Sequence, residues 1–228
     1  MKTILMKFAG PLQSWGINSH FESRRTNRFP SKSAVIGMIA SALGYRRYED
    51  IKLKGLNDLS FAIRIDQPGS LLRDFQIAES HKPNGDKLRS YVTNRFYLQD
   101  AVFVIAISSE DDNLIKEVYD SLLNPYFSLY LGRRSLPINF DYMLGLFEGD
   151  AINSLMNMKW QASDFYKSHN SNNLDIWADS NLIDRNDLIV RDTPVSFSQG
   201  VKDSKYSNDD RRKYSFRSIG KITVKVNQ

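Results

Sequence analysis

The chain has 228 residues and a mass of 26.3 kDa, with 41% hydrophobic and 25% charged residues. These are globular proportions that exclude disorder, collagen and pure coiled coil, and the length suits one large domain or two modest ones. Its 31 Lys/Arg stand against 26 Asp/Glu for a net charge of +5, and the absence of cysteine removes disulfide frameworks, thiolate metal sites and cysteine nucleophiles.

Lys2–Phe8 reads as a strand closed by Gly10-Pro11, followed by a polar segment to Pro30 that is too long to be a mere connection. Ser31 or Ser33 caps a helix with Val35, Ile36, Met38, Ile39, Ala42 and Leu43 on its apolar face and Gly44 as its stop. Leu59–Ile65 alternates apolar and polar residues, as a half-buried strand does. Gln67–Ser70 is then a turn. Residues 71–100 form an insertion of two extended segments around Asn84-Gly85, a hairpin-turn pair. Lys82, Lys87, Arg89 and Arg95 alternate there with Tyr91, Phe96 and Tyr97, so the arm reads either as a gripping device or as an ordinary solvated hairpin.

Val102–Ile107 is an unbroken apolar run, expected of a central strand covered on both faces. Asp111 or Asp112 opens a second helix that Asn124-Pro125 ends, and Tyr126–Leu131 is expected as a further strand. The skeleton β-α-β-insertion-β-α-β places the chain in the α+β class, with a ferredoxin-like (RRM-type, βαββαβ) N-terminal domain over 1–137. Beyond Pro137 a short helix within Phe147–Met158 and strands at Leu188–Phe197 and Lys221–Val226 suggest a small β-rich C-terminal domain over 138–228. Asn170–Asn173 and Asp203–Arg212 read as loops.

Catalytic signatures are sparse. The three histidines, His20, His81 and His169, have no metal-ligand spacing, and neither phosphate-loop nor dinucleotide glycine motifs occur. No catalytic residue, metal or cofactor is expected. The surviving alternative is metal-independent RNA cleavage with His20 or His81 as acid or base. The apolar stretch at 34–45 is shorter than the roughly 20 residues of a membrane span, and MKTILMKFAG has no signal-peptide pattern. A soluble, cytoplasmic protein without membrane partners is the expectation.

The net charge is unevenly spread. Residues 1–50 carry 8 Lys/Arg against 3 Asp/Glu, residues 101–150 carry 3 against 8, and residues 201–228 carry 8 against 3. Arg24, Arg25, Arg28, Lys32, Arg46 and Arg47 lie between Ser23 and Tyr48 with no intervening acid, and arginine forks onto phosphate. A solvated basic face is the competing account.

The runs LMKFAGPLQSWG (Leu5–Gly16) and FESRRTNRFPSKSAVIGMIASALG (Phe21–Gly44) closely resemble the CasD family. Its members are the Cascade subunits of type I-E CRISPR–Cas systems that hold the 5′ end of CRISPR RNA (crRNA). LLRDFQ (Leu71–Gln76), NRFYLQDAVF (Asn94–Phe103) and YLGRRSLP (Tyr130–Pro137) agree in order and spacing; after Pro137 only RDTPVSF (Arg191–Phe197) and a basic tail do. Gln76-Ile77 stand where the family commonly has His-Thr. The resemblance implies an RNA-recognition-type domain with a β-hairpin thumb at about 71–100, non-catalytic binding of the crRNA 5′ handle, and contacts with the Cascade backbone and large subunits. Target DNA is then met indirectly, through the complex. A related type I-C family cuts RNA, which keeps the endoribonuclease alternative open.

On this reading Gln13, Ser14 and Trp15 contact phosphate, sugar or a splayed base, with core packing as the other role for Trp15. Arg24, Arg25 and Arg28 bind phosphates. Ser31, Lys32 and Ser33 offer a helix N-terminus to an anion, alongside Ser31's capping role. Arg133 and Arg134 either reach RNA or form an ion pair joining the domains. Lys82, Lys87, Leu88, Arg89, Tyr91 and Arg95 on the thumb touch RNA or a neighbouring subunit, Leu88 displacing a base.

Overall fold

The structure, a computed structural model, describes residues 1–16, 22–198 and 212–227. Strands β1 (Lys2–Ala9), β4 (Ser60–Gln67) and β7 (Val102–Ser109) lie at its centre. Ile4, Met6 and Phe8 of β1 and Phe103, Ile105 and Ile107 of β7 point to one face, while Leu5, Val104 and Ala106 point to the other. Both faces are apolar because both are covered, which is why Val102–Ile107 shows no polar alternation. α1 (Lys32–Ala42), α2 (Asp50–Leu56) and α3 (Asp112–Leu123) cover the first face, and α4 (Ala151–Asn157) covers the second.

Helix boundaries follow local chemistry. Ser31 caps α1 by accepting from the Ala34 N–H. At the far end the Gly44 and Tyr45 amides return to the Ser41 and Ala40 carbonyls with Gly44 at φ +77°, a left-handed stop that glycine adopts without strain. Asp111 caps α3 through the Asn113 and Leu114 amides at 2.9 and 3.1 Å.

With β8 (Met143–Glu148), β9 (Asn173–Asp179), β10 (Leu188–Ser196) and β11 (Lys213–Lys225) the main sheet has seven strands, ordered β10-β11-β9-β4-β7-β1-β8, and all its pairings are antiparallel. Residues from 143 onward therefore extend both edges of the sheet begun by the first half of the chain. A second, smaller sheet is built on a hairpin of β5 (Ser70–His81) and β6 (Lys87–Gln99), with β2 (Leu12–Gln13) and β3 (Ser23–Arg24) paired to the base of β6. The hairpin matches the expected insertion, and Gly85 at φ +90° makes its turn.

The expected strand at Tyr126–Leu131 is not formed. Its donors are used elsewhere: the Tyr126 and Phe127 amides cap the Ala42 and Ser41 carbonyls of α1, and Leu131 bonds Leu136 across a tight turn. Met143–Glu148 takes the place beside β1 instead, and the helix expected within Phe147–Met158 is shortened to α4 by that strand. β9 and the six-residue α5 (Asp164–His169) went unread in the sequence.

The α4 face holds a buried ion pair. Arg64 forks onto Asp66 at 2.7 and 2.8 Å with both side chains fully enclosed. The guanidinium also donates to the Leu155, Met158 and Lys159 carbonyls, and Asp66 accepts from the Gln161 amide. The pair thereby fastens the end of α4 to β4. Arg64→Met strands a buried carboxylate, so it is expected to lower unfolding stability by about 3–5 kcal/mol in urea titration, while Arg64→Met with Asp66→Leu recovers part of that loss.

Candidate nucleic-acid interface

Residues from four separate stretches meet at the base of the hairpin. β3 runs parallel to β6, pairing Ser23 with Asn94 and Arg24 with Arg95, and the Asn94 amide donates to the Glu22 carbonyl at 2.8 Å. The arm that carries Arg24 and Arg25 is held further by Thr26, whose hydroxyl accepts from the Trp15 amide, and by the Asn27 amide on the Trp15 carbonyl. Arg24, Arg25 and Arg28 are all exposed.

Gln13, Ser14 and Trp15 lie beneath this arm, inside the protein. The Gln13 amide donates to the Phe8 and Ala101 carbonyls and its oxygen accepts from the Trp15 indole. Trp15 is 1% exposed and stacks on Phe8 at 5.7 Å, so its ring has no open face for a base and takes the core-packing role. Ser14 donates to the Phe96 carbonyl at 3.2 Å. Gly132, at φ +88°, lies so close to the Ser14 carbonyl that a Cβ would collide with it.

The amino end of α1 already has its anion. Asp192 of β10 accepts from the Lys32 backbone N–H at 2.8 Å, and Asp179 accepts from Lys32 Nζ at 3.1 Å and from the Phe61 amide at 2.9 Å. Arg217 forks onto Asp192 at 2.6 and 2.9 Å and reaches Asp179 at 2.6 Å. Desolvation works against the Arg217 charge, yet hydrogen bonds and attraction from Asp192 and Asp179 outweigh it and hold the guanidinium above its ordinary pKa. Ser31 and Lys32 are each 5% exposed and Ser33 bonds Ser31. The anion-binding role expected of these three is thus filled internally, by a carboxylate 160 residues away in sequence. Local sequence carried no signal for Asp179, Asp192 and Arg217.

Arg133 does not form the expected ion pair. Its Nη2 donates to the Arg24 and Phe96 carbonyls at 3.0 and 3.2 Å, and the guanidinium lies 4.3 Å over the Tyr97 ring. Arg134 is exposed.

Along the hairpin, Lys82, Lys87, Leu88, Arg89 and Arg95 are exposed and Tyr91 is half-buried. Lys87 pairs with Glu79, and Arg89 stacks on Tyr91 at 4.7 Å. Opposite faces differ: Leu71, Phe75, Ile77 and Val92 form an exposed apolar stripe on one, next to Arg73, which the sequence reading missed. His81 sits at the tip, 3.9 Å from Glu79; His20 lies outside the described residues. Among the described residues no group of three His, Asp or Glu is placed to hold a metal ion, and no helix is long and apolar enough to cross a membrane.

Residues 3–217 match the family described as CRISPR-associated protein (Cas_Cas5). The sequence is 30% identical to the CRISPR system Cascade subunit CasD of Escherichia coli (strain K12) over 178 residues, 72% of this chain and 80% of the relative. Among solved structures, a chain of a CRISPR RNA-guided surveillance complex superposes with a TM-score of 0.75 at 30% identity, over 98% of this chain and 90% of that one. The crystal structure of a Cas protein superposes with a TM-score of 0.68 at 25% identity, over 99% and 98%.

The carboxylate at the amino end of α1 is open to direct test. Asp192→Ala leaves Arg217 and the Lys32 amide short of a buried partner, and a loss of about 3–5 kcal/mol in denaturant stability is expected; a change below about 0.5 kcal/mol, usual for surface sites, would show that the network does not join α1 to the C-terminal strands.

Proposed function

The chain belongs to the CRISPR-associated Cas5 family, and from that premise we propose that it is the subunit of an RNA-guided surveillance complex that binds and caps the crRNA 5′ handle. The observation that carries this reading is the arm of Arg24, Arg25 and Arg28, exposed and anchored on the base of a protruding hairpin. Arginines on an anchored segment suit a folded single strand, because phosphate contacts fix its path while unstacked bases stay free to be read. Target sequence is left to guide pairing.

The finer parts of the proposal follow from the same geometry. The order β4-β7-β1-β8 with α1 and α3 on one face is the arrangement of a ferredoxin-like, RRM-type core, here with its fourth strand at Met143–Glu148. Residues 1–137 carry the RNA-facing parts and 138–228 form the smaller C-terminal unit, whose strands share the sheet. The hairpin is the thumb, set between crRNA and the adjacent backbone subunit, with the large subunit beyond. The role is binding without cleavage: His81 has a lone carboxylate beside it at the exposed tip, a poor setting for paired acid and base.

The test uses the purified chain and labelled crRNA. A handle-dependent, salt-sensitive shift without shortening of the RNA is expected, and Arg24→Glu/Arg25→Glu/Arg28→Glu should abolish it and flatten the salt dependence by about one unit of log–log slope per lost phosphate contact. A defined cleavage product that disappears in His81→Ala or His20→Ala would favour the endoribonuclease instead. Unchanged crRNA retention after the triple reversal would leave only a protein adaptor.

A further inference from the structure

Arg133 is an unusual cation for a nucleic-acid interface, because its donors are turned inward. Nη2 is committed to two backbone carbonyls, those of Arg24 on the arm and Phe96 on the hairpin, at 3.0 and 3.2 Å. Nη1 is shut off from solvent and has no hydrogen-bond partner. The plane of the group lies against the Tyr97 ring at 4.3 Å. The loop beneath it is rigid: Leu131 and Leu136 are core residues, and the Leu136 amide closes the turn on the Arg133 carbonyl at 2.9 Å.

The two strands that Arg133 joins carry their own arginines in register. Arg24 and Arg95 are direct partners of the parallel β3–β6 pair, so their side chains leave neighbouring strands about 4.8 Å apart on the same face. Both are exposed. Like charges placed side by side across strands repel, and the β3 strand that imposes this is only two residues long. Asp74 is the next residue in the row, across β6 from Arg24, but its carboxylate oxygens accept from Gln76 at 3.0 and 2.9 Å. A two-residue strand is held against such repulsion by something else, and Arg133 bonds the arm at the Arg24 carbonyl itself.

We propose that Arg133 is a positioning residue: it makes no contact with RNA, and clamps the arm to the hairpin so that Arg24 and Arg95 form a two-arginine seat for a backbone phosphate. The phosphodiester is the ligand whose charge relieves the imposed repulsion and whose oxygens match two guanidinium forks. The proposal rests on the crRNA-binding reading above and adds to it how the site is assembled and which cations act together.

The chain and its Arg133→Lys, Arg133→Met and Tyr97→Leu variants are compared for binding of labelled crRNA, alone and combined with Arg24→Ala/Arg95→Ala. Lysine keeps the charge but cannot bridge two carbonyls while lying flat on a ring. Arg133→Lys is therefore expected to be as weak as Arg133→Met, each about five-fold or more below the parent, and neither should weaken the Arg24→Ala/Arg95→Ala protein further, the non-additivity of residues acting through one another. Near-parental binding by Arg133→Lys, or a loss that adds to that of the double variant, would overturn the proposal by making Arg133 a phosphate ligand. If the Arg133 variants do not fold, Tyr97→Leu decides, by the same non-additivity. Amide hydrogen exchange without RNA gives a second readout: Arg133→Lys should speed exchange at Asn94 while β1 and β7 stay protected, and unchanged exchange there would sink the clamp. Failure of the parent chain to bind crRNA would remove the proposed function, with the exchange result still judging the clamp.

Discussion

Asp192 is a buried anion that answers three cationic or electropositive groups at once: the amino end of α1, the Arg217 guanidinium and, through Asp179, the Lys32 ammonium. Charges out of water persist only when matched this closely. The match dictates much of what surrounds it. It brings β9, β10 and β11 against the start of α1, and that contact lets strands from the last quarter of the chain continue the sheet begun by β1, β4 and β7. It also consumes the one helix N-terminus that sequence marks as an anion site. Nucleic-acid chemistry is thereby displaced from the helix to the arm that precedes it, where the arginines are exposed.

That displacement explains which parts of the molecule were legible. Local rules located β1, β4, β7, α1, α3 and the hairpin, because alternation, caps at Ser31 and Asp111, and Asn84-Gly85 each act within a few residues. The failures share a different cause. Tyr126–Leu131 has strand composition, but its donors are claimed by the exposed carbonyls of α1, a contact across more than eighty residues. Lys32 reads as a surface cation until its partners at 179 and 192 are known. Gln13 and Trp15 read as a polar, aromatic loop, and only the tertiary structure shows a buried amide knitting β1 to β7 and a ring stacked on Phe8. Propensity describes a segment; burial depends on what else is nearby.

The uneven charge acquires a simple layout. The N-terminal excess is carried largely by the arm and by Arg46 and Arg47, while Lys32 is neutralised in the interior. The acidic middle includes α3, where Asp111 and Asp112 face the helix N-terminus and are favoured there by its dipole. A polyanion approaching the hairpin base meets arginine, and one approaching α3 meets carboxylates. Such an asymmetry orients a strand before any specific contact forms, and it weakens with salt.

The hairpin's outer strand has a consequence for the life of the unassembled chain. β5 pairs only with β6, so one of its two edges is an open row of backbone donors and acceptors, beside exposed Leu71, Phe75 and Ile77. A long, apolar, unpaired edge is a template for self-association. Lys87 and Arg89 near its tip act as gatekeepers against that outcome, and they guard only the last third of the strand. Copies made in excess of whatever covers this edge are therefore the ones most exposed to aggregation and proteolysis, which ties the useful amount of the protein to the supply of its neighbours.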